Sequence, residues 1–142
     1  MEGHMIQSIN HITYSVSDIK KSTAFYKEVL MANIVMEKEK IVYFTIGDVW
    51  FALNEESHIP RNDIHDSYTH LAFTIPESEF DYWSKRLKVH HVTILQSRAR
   101  SDKEGKSIYF TDPDGHKLEL HTGTLEDRLK YNNDKNEVKK RN

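Results

Sequence analysis

His11 and His70 occupy the same place in two versions of one short pattern: the chain reads NHITYSV at residues 10–16 and THLAFTI at residues 69–75. Side chains alternate between faces along a strand. Ile12, Tyr14 and Val16 therefore share one face and leave His11, Thr13 and Ser15 on the other. In the second copy Leu71, Phe73 and Ile75 share a face, opposite His70, Ala72 and Thr74. A third stretch, HKLELH at residues 116–121, turns Leu118 and Leu120 to the apolar side and Lys117, Glu119 and His121 to the polar side. Two imidazoles and a carboxylate brought together leave coordination positions open on a divalent ion, which a metal needs in order to act on a substrate. One such histidine alone is more often a satisfied polar residue in a wet cup. Two in repeat-related places, with a glutamate in phase, favour a metal set of His11, His70 and Glu119. His121 lies at a strand end and is expected at the rim. His58, His65, His90, His91 and His116 fall in linkers or at element ends and read as surface residues.

The elements that must carry these groups also come in two sets. After the first strand, Ser17 and Asp18 can cap a helix whose stripe is Ile19, Tyr26, Val29 and Leu30. After the second, Pro76 suits the first turn of a helix, and Phe80, Trp83 and Leu87 repeat at helical spacing. Tyr82 and Trp83 read as helix-to-core packing. IVYFTIGDVWFALN (41–54) reads as two strands around Gly47-Asp48, and SIYFTDPDGHKLELH (107–121) as two strands around Asp112–Gly115. Tyr43-Phe44-Thr45 returns as Tyr109-Phe110-Thr111. Short strands also fit Ile34–Lys38 and Val92–Gln96. The expectation is an α+β fold of two β-α-β-β-β modules, about residues 7–54 and 67–121, joined by 55–66. One module cannot cover both faces of a curled sheet, whereas two can pack helices outside and share a concave, cupped mixed sheet. The domain expected is 5–131, with 132–142 a polar, frayed tail apart from it. MEGH before Met5 reads as an added leader, and His4 is set aside.

Composition narrows the chemistry. The chain has 142 residues, a net charge of -2 and no cysteine. A near-neutral balance gives no footprint for nucleic acid. Without cysteine there is no disulfide, thiolate metal site or cysteine nucleophile. No apolar run could span a bilayer and no signal peptide is evident, so a cytoplasmic location is expected. SRARSDKEGKS (97–107) reads as a loop opening with Arg98 and Arg100. Arg128 sits in a short helix expected over 124–131. For an anionic ligand these guanidinium groups are fork-shaped partners.

The paired modules, the one histidine per module and the glutamate in the final strand resemble the glyoxalase / vicinal-oxygen-chelate superfamily. The strings LNEE…IPRN…SYTH and YFTDPDGHKLELHTGTL, with the arginine loop, resemble more specifically the FosB-type fosfomycin-resistance thiol transferases, over about residues 5–131. That resemblance implies His11, His70 and Glu119 as divalent-metal ligands, with Mn or Mg the family choice and Ni, Zn or Fe also suited to the donors. It implies that Tyr43, Trp50, Asn54, Tyr68, Arg98, Tyr109 and Arg128 contact the phosphonate or wall its pocket, with Glu119 and Tyr109 as the catalytic assignments. The implied reaction is attack by bacillithiol, or L-cysteine, on the epoxide of fosfomycin, in a homodimer whose paired chains complete each other's cups. The chain departs from the family at Thr13, where cysteine is frequent, and in a tail without an aromatic ending. A glyoxalase-like isomerase, an extradiol dioxygenase and a metal-free drug-sequestering protein share the fold and stand as alternatives.

Overall fold

The computed structural model describes residues 3–61, 67–96 and 105–141. The chain divides into two compact units, one ending at residue 62 and the other beginning at residue 63. In the first unit, strand β1 (His11–Val16) leads into helix α1 (Ile19–Ala24), which loosens into a π-helical turn at Phe25–Val29. Three strands follow: β2 (Asn33–Glu37), β3 (Ile41–Ile46) and β4 (Val49–Glu55). They form one sheet in the order β1-β4-β3-β2, in which β1 runs parallel to β4 and the remaining pairs are antiparallel.

The helix begins where the sequence supplies a cap. Asp18 Oδ1 accepts from the backbone N–H groups of Lys20 and Lys21, both at 3.1 Å, satisfying two donors that the helix leaves open. Glu55, at the end of β4, accepts from the backbone N–H of Ile19 at 2.9 Å and ties the helix start to the sheet. The expected stripe of Ile19, Tyr26, Val29 and Leu30 is buried. Tyr26 stacks on Phe44 with ring centroids 4.9 Å apart, and Phe44 stacks on Phe51 at 5.1 Å. This face of the sheet is therefore the core. Because neighbours in register share a face, His11, Trp50 and Thr45 form one row on the opposite face, and Ser15, Asn54 and Ile41 another.

The second unit repeats the order with β5 (Leu71–Thr74), a 3-10 turn (Glu77–Glu79), helix α2 (Phe80–Val89), β6 (Ile94–Leu95), β7 (Ser107–Thr111) and β8 (Lys117–His121). Its sheet order is β5-β8-β7-β6, again with one parallel pair, β5 with β8. The β7–β8 connection is a tight turn in which Asp112 Oδ1 accepts from the backbone N–H groups of Asp114 and His116. Gly115 has φ +90°, a conformation glycine adopts without steric cost. The helix α3 (Leu125–Arg141) follows. It opens on a reciprocal cap: Thr124 Oγ1 accepts from the Asp127 N–H, and Asp127 Oδ2 accepts from the Thr124 N–H.

Several details differ from expectation. Strand β6 is two residues long, not five, and among the described residues it pairs with Phe110 and Tyr109. Pro76 caps the 3-10 turn instead of entering the helix. Tyr82 is exposed, since a residue one step before Trp83 points about 100° away from the Phe80–Trp83–Leu87 stripe. His116 is half-buried, not superficial, because its Nδ1 pairs with Asp112 Oδ2 at 2.8 Å inside the turn. The residues expected as a frayed tail continue α3. No glycine or proline follows Gly123, so nothing in the sequence breaks that helix.

Phe44 joins the helix to the sheet through both of its stacked neighbours. Phe44→Ala is expected to destabilise the protein by about 3–5 kcal/mol, read from the urea midpoint of unfolding. A loss no larger than that of an exposed-site substitution would contradict the packing described.

Candidate metal centre

Strand register in the second unit sets its polar face. Across β5, β8 and β7, Ala72, Glu119 and Tyr109 form one row, and Thr74, His121 and Ser107 form the next. Leu71, Phe73, Leu118, Leu120, Ile108 and Phe110 share the opposite face. His70 sits just ahead of β5, in phase with Ala72. Its Nε2 lies 2.9 Å from Oε1 of Glu119, whose relative exposure is only 2%. The carboxylate is central to the sheet and cannot be solvated from both sides. An ionised carboxylate in such a place requires partners.

Counting protons makes this pair informative. His70 Nδ1 lies 2.7 Å from the carbonyl oxygen of Tyr68. A carbonyl only accepts, so Nδ1 carries a hydrogen and, in the neutral imidazole, Nε2 carries a lone pair. That lone pair then faces an acceptor oxygen of Glu119. A second proton on the ring, a proton on the carboxyl or a cation between the two groups makes the contact favourable. A ligand histidine characteristically donates its other ring N–H to a carbonyl or carboxylate. The donor set therefore fits a divalent cation of the hard or borderline kind.

His11, in the first unit, is held the same way. Its Nδ1 lies 2.7 Å from Oδ1 of Asn10, which leaves Nε2 for another partner. Its ring packs on Trp50 with centroids 4.4 Å apart. Among the described residues, no group of three or more His, Asp or Glu side chains is gathered as a ready metal site. His11 belongs to the first unit, and the His70–Glu119 pair to the second.

The other expected site residues divide by unit. Tyr43 and Trp50 meet edge-on at 5.1 Å, on the His11 face, with Asn54 four residues beyond Trp50 on the same face of β4. The Trp50 indole nitrogen, which can only donate, is buried and has no hydrogen-bond partner among the described residues. In the second unit the Tyr68 and Tyr109 hydroxyls are 2.9 Å apart. The Tyr109 ring meets His70 edge-on at 5.3 Å. Arg128 is half-buried on α3. Arg98 and Arg100 in the arginine loop, and His65 in the linker, lie outside the described residues.

His121 is not a rim residue. Strand β8 ends on it, but Ser107 and Thr74 flank it in register and cover it from both sides. Its exposure is 9%. Its Nδ1 lies 2.7 Å from Ser107 Oγ, and that hydroxyl donates to Glu119 Oε2 at 2.6 Å. Ser107 was not anticipated from the sequence. The signal was in the DPDG turn: its register pairs Thr111 with Lys117, which carries Ser107 opposite His121. Asn10 was likewise missed, because it precedes the strand that holds His11.

The chain is similar to known proteins. A family model, the Glyoxalase/Bleomycin resistance protein/Dioxygenase superfamily, matches residues 8–120. A metallothiol transferase FosB of Staphylococcus saprophyticus is 63% identical over 127 residues, covering 89% of this chain and 84% of that protein. A metallothiol transferase FosB of Lysinibacillus sphaericus is 55% identical over 126 residues, covering 89% of each. Among solved structures is a Glu-to-Gln variant of the fosfomycin resistance protein FosX from Listeria monocytogenes, complexed with Mn(II) and 1S,2S-dihydroxypropylphosphonic acid. It superposes with a TM-score of 0.81 at 38% identity, over 89% of this chain and 98% of that one. With its repeated four-stranded sheets and this extent of identity, the chain belongs to the glyoxalase/bleomycin resistance protein/dioxygenase superfamily, among the FosB metallothiol transferases.

Proposed function

We propose that this chain is a divalent-metal-dependent transferase that adds a low-molecular-weight thiol, bacillithiol or L-cysteine, to the epoxide of fosfomycin. The observation that carries the reading is the contact of His70 Nε2 with Glu119 Oε1 at 2.9 Å, with the ring proton committed on the other side to a backbone carbonyl. The ligands proposed are His11, His70 and Glu119. A divalent ion, Mn or Mg by family and Ni, Zn or Fe by donor type, supplies charge that neutralises the phosphonate and polarises the oxirane oxygen.

The chain's own residues bind and orient the antibiotic. Trp50 offers an indole N–H with no partner among the described residues, suited to a phosphonate oxygen. Tyr43 walls the same face and Asn54 adds an amide. Tyr109, with Tyr68 hydrogen-bonded to it, can present a hydroxyl proton to the oxygen released from the ring. Arg98 and Arg128 are the proposed guanidinium partners of the phosphonate. In the reaction a thiolate sulfur forms a bond to an oxirane carbon. The C–O bond breaks, its electron pair stays on oxygen, and that oxygen takes up a proton. No protein nucleophile takes part, which accords with a chain lacking cysteine and with Thr13 at a place where the family often has a thiol.

We place the protein in the cytoplasm, where small thiols are kept reduced. Among the described residues no helix is long and apolar enough to cross a membrane. We propose a homodimer in which His11 of one protomer completes the His70–Glu119 pair of another. Sedimentation at twice the 16.7 kDa chain mass is expected, and a monomer at working concentration overturns that arrangement.

Purified protein with Mn(II) should consume fosfomycin only when thiol is present, and should leave a methylglyoxal–thiol adduct and catechol untouched. Turnover of either control in place of fosfomycin overturns the assignment. In the same assay Arg128→Ala should weaken apparent fosfomycin affinity by about 1.5–3 kcal/mol while metal content holds. Unchanged affinity would return Arg128 to the solvated surface.

Ligand roles are separated from acid–base roles by titrating Mn(II) into the metal-free protein. His70→Ala should lose stoichiometric metal. Glu119→Gln keeps shape but loses the charge that holds a hard cation, so its activity should recover partly at high Mn(II). Tight metal binding with no activity in Glu119→Gln would make Glu119 a base instead.

A further inference from the structure

We infer that Ser107, with His121 behind it, is a positioning residue that aims the Glu119 carboxylate. The inference rests on the ligand role proposed for Glu119. The argument begins with hydrogen inventory. Ser107 has one hydroxyl proton and stands between two groups, 2.6 Å from Glu119 Oε2 and 2.7 Å from His121 Nδ1. An ionised carboxylate only accepts, so the hydroxyl proton lies on the line to Oε2, at the short distance typical of O–H···O⁻ bonds. Ser107 Oγ can then only accept from His121, which places a hydrogen on Nδ1. Donation runs from His121 Nδ1–H to Ser107 Oγ–H to Glu119 Oε2.

Distances decide that His121 acts through the serine. Its direct approach to Oε2 is 3.4 Å, beyond normal hydrogen-bond length, against 2.7 Å to Ser107. The mechanical need is plain. The terminal torsion of glutamate is broad and soft, so a carboxylate held at one oxygen alone can turn its plane. Anchoring Oε2 leaves Oε1 directed at His70 Nε2. Each anchor is in turn fixed by its strand, since Ser107 and His121 are register partners on β7 and β8.

The first unit provides an internal control. The same register there pairs Tyr43 with Ala52 and Ile41 with Asn54, in the places of Tyr109 with Glu119 and Ser107 with His121. Ala52 has no carboxylate to aim, and Ile41 no hydroxyl to aim one. The serine accompanies the carboxylate and is absent where the carboxylate is absent.

The test is Mn(II) affinity of the metal-free protein, measured by electron paramagnetic resonance of free Mn(II). Ser107→Ala should weaken binding about 10- to 100-fold, the range for groups that orient a metal ligand. Ser107→Thr, which keeps the hydroxyl, should restore most of that loss. His121→Ala should also weaken binding, while His121→Asn, which re-presents an N–H near the Nδ1 position, should not. Because the relay is serial, the Ser107→Ala/His121→Ala double variant should bind no more weakly than Ser107→Ala. Parent-like affinity in Ser107→Ala, no rescue by threonine, or fully additive losses would each overturn the inference. Glu119→Gln, run alongside, separates the two readings. If it binds Mn(II) like the parent, the ligand role itself fails; if it loses Mn(II) while Ser107→Ala does not, only the relay fails.

Discussion

A buried carboxylate with every oxygen spoken for is the constraint on which the second unit depends. Glu119 sits on the middle strand pair of its sheet, flanked in register by Ala72 and Tyr109, and almost no water reaches it. Leaving such a charge unpartnered would cost several kcal/mol. The sheet responds by arranging partners around it: the His70 ring from ahead of β5 and the Ser107 hydroxyl from β7. Replacing water by fixed partners also fixes geometry. A group that must be held this firmly for stability keeps a single orientation.

The same economy governs the histidines. His11 and His70 each direct Nδ1 to an oxygen acceptor contributed by a neighbour in sequence, Asn10 in one case and the Tyr68 carbonyl in the other. Local chain geometry thereby chooses the tautomer and leaves Nε2 available. Aromatic rings pack around both, Trp50 against His11 and Tyr68 and Tyr109 around His70. Ring packing limits rotation of the imidazoles, while hydrogen bonds set which nitrogen points outward.

The two units repeat one strand arrangement and differ on their polar faces. Both sheets carry one parallel and two antiparallel pairings in the same order, and both turn their apolar rows toward a core. The polar rows are then free to diverge, because substitutions there leave core packing intact. The first unit keeps a histidine and an aromatic wall of Tyr43 and Trp50. The second keeps a histidine and acquires the carboxylate with its serine.

Much of this was legible in the residues. Period-two alternation assigned His11, His70 and Glu119 to polar strand faces, because strand geometry makes alternate residues neighbours whatever the rest of the chain does. Asp18 announced a helix start through local chemistry, and the DPDG turn announced a hairpin. The family resemblance lay in long specific strings that needed no coordinates. What sequence could not decide was how deeply a strand end is covered. His121 and His116 looked peripheral from their positions, yet pairing on both sides buries the first and an aspartate in its own turn captures the second. Ser107 stayed invisible for the same reason: its importance comes from standing across a hairpin from His121 and diagonally from Glu119. Such neighbourhoods depend on register and depth, which are properties of the assembled sheet, since a hydrogen bond between residues distant in sequence exists only once the chain has brought them within reach.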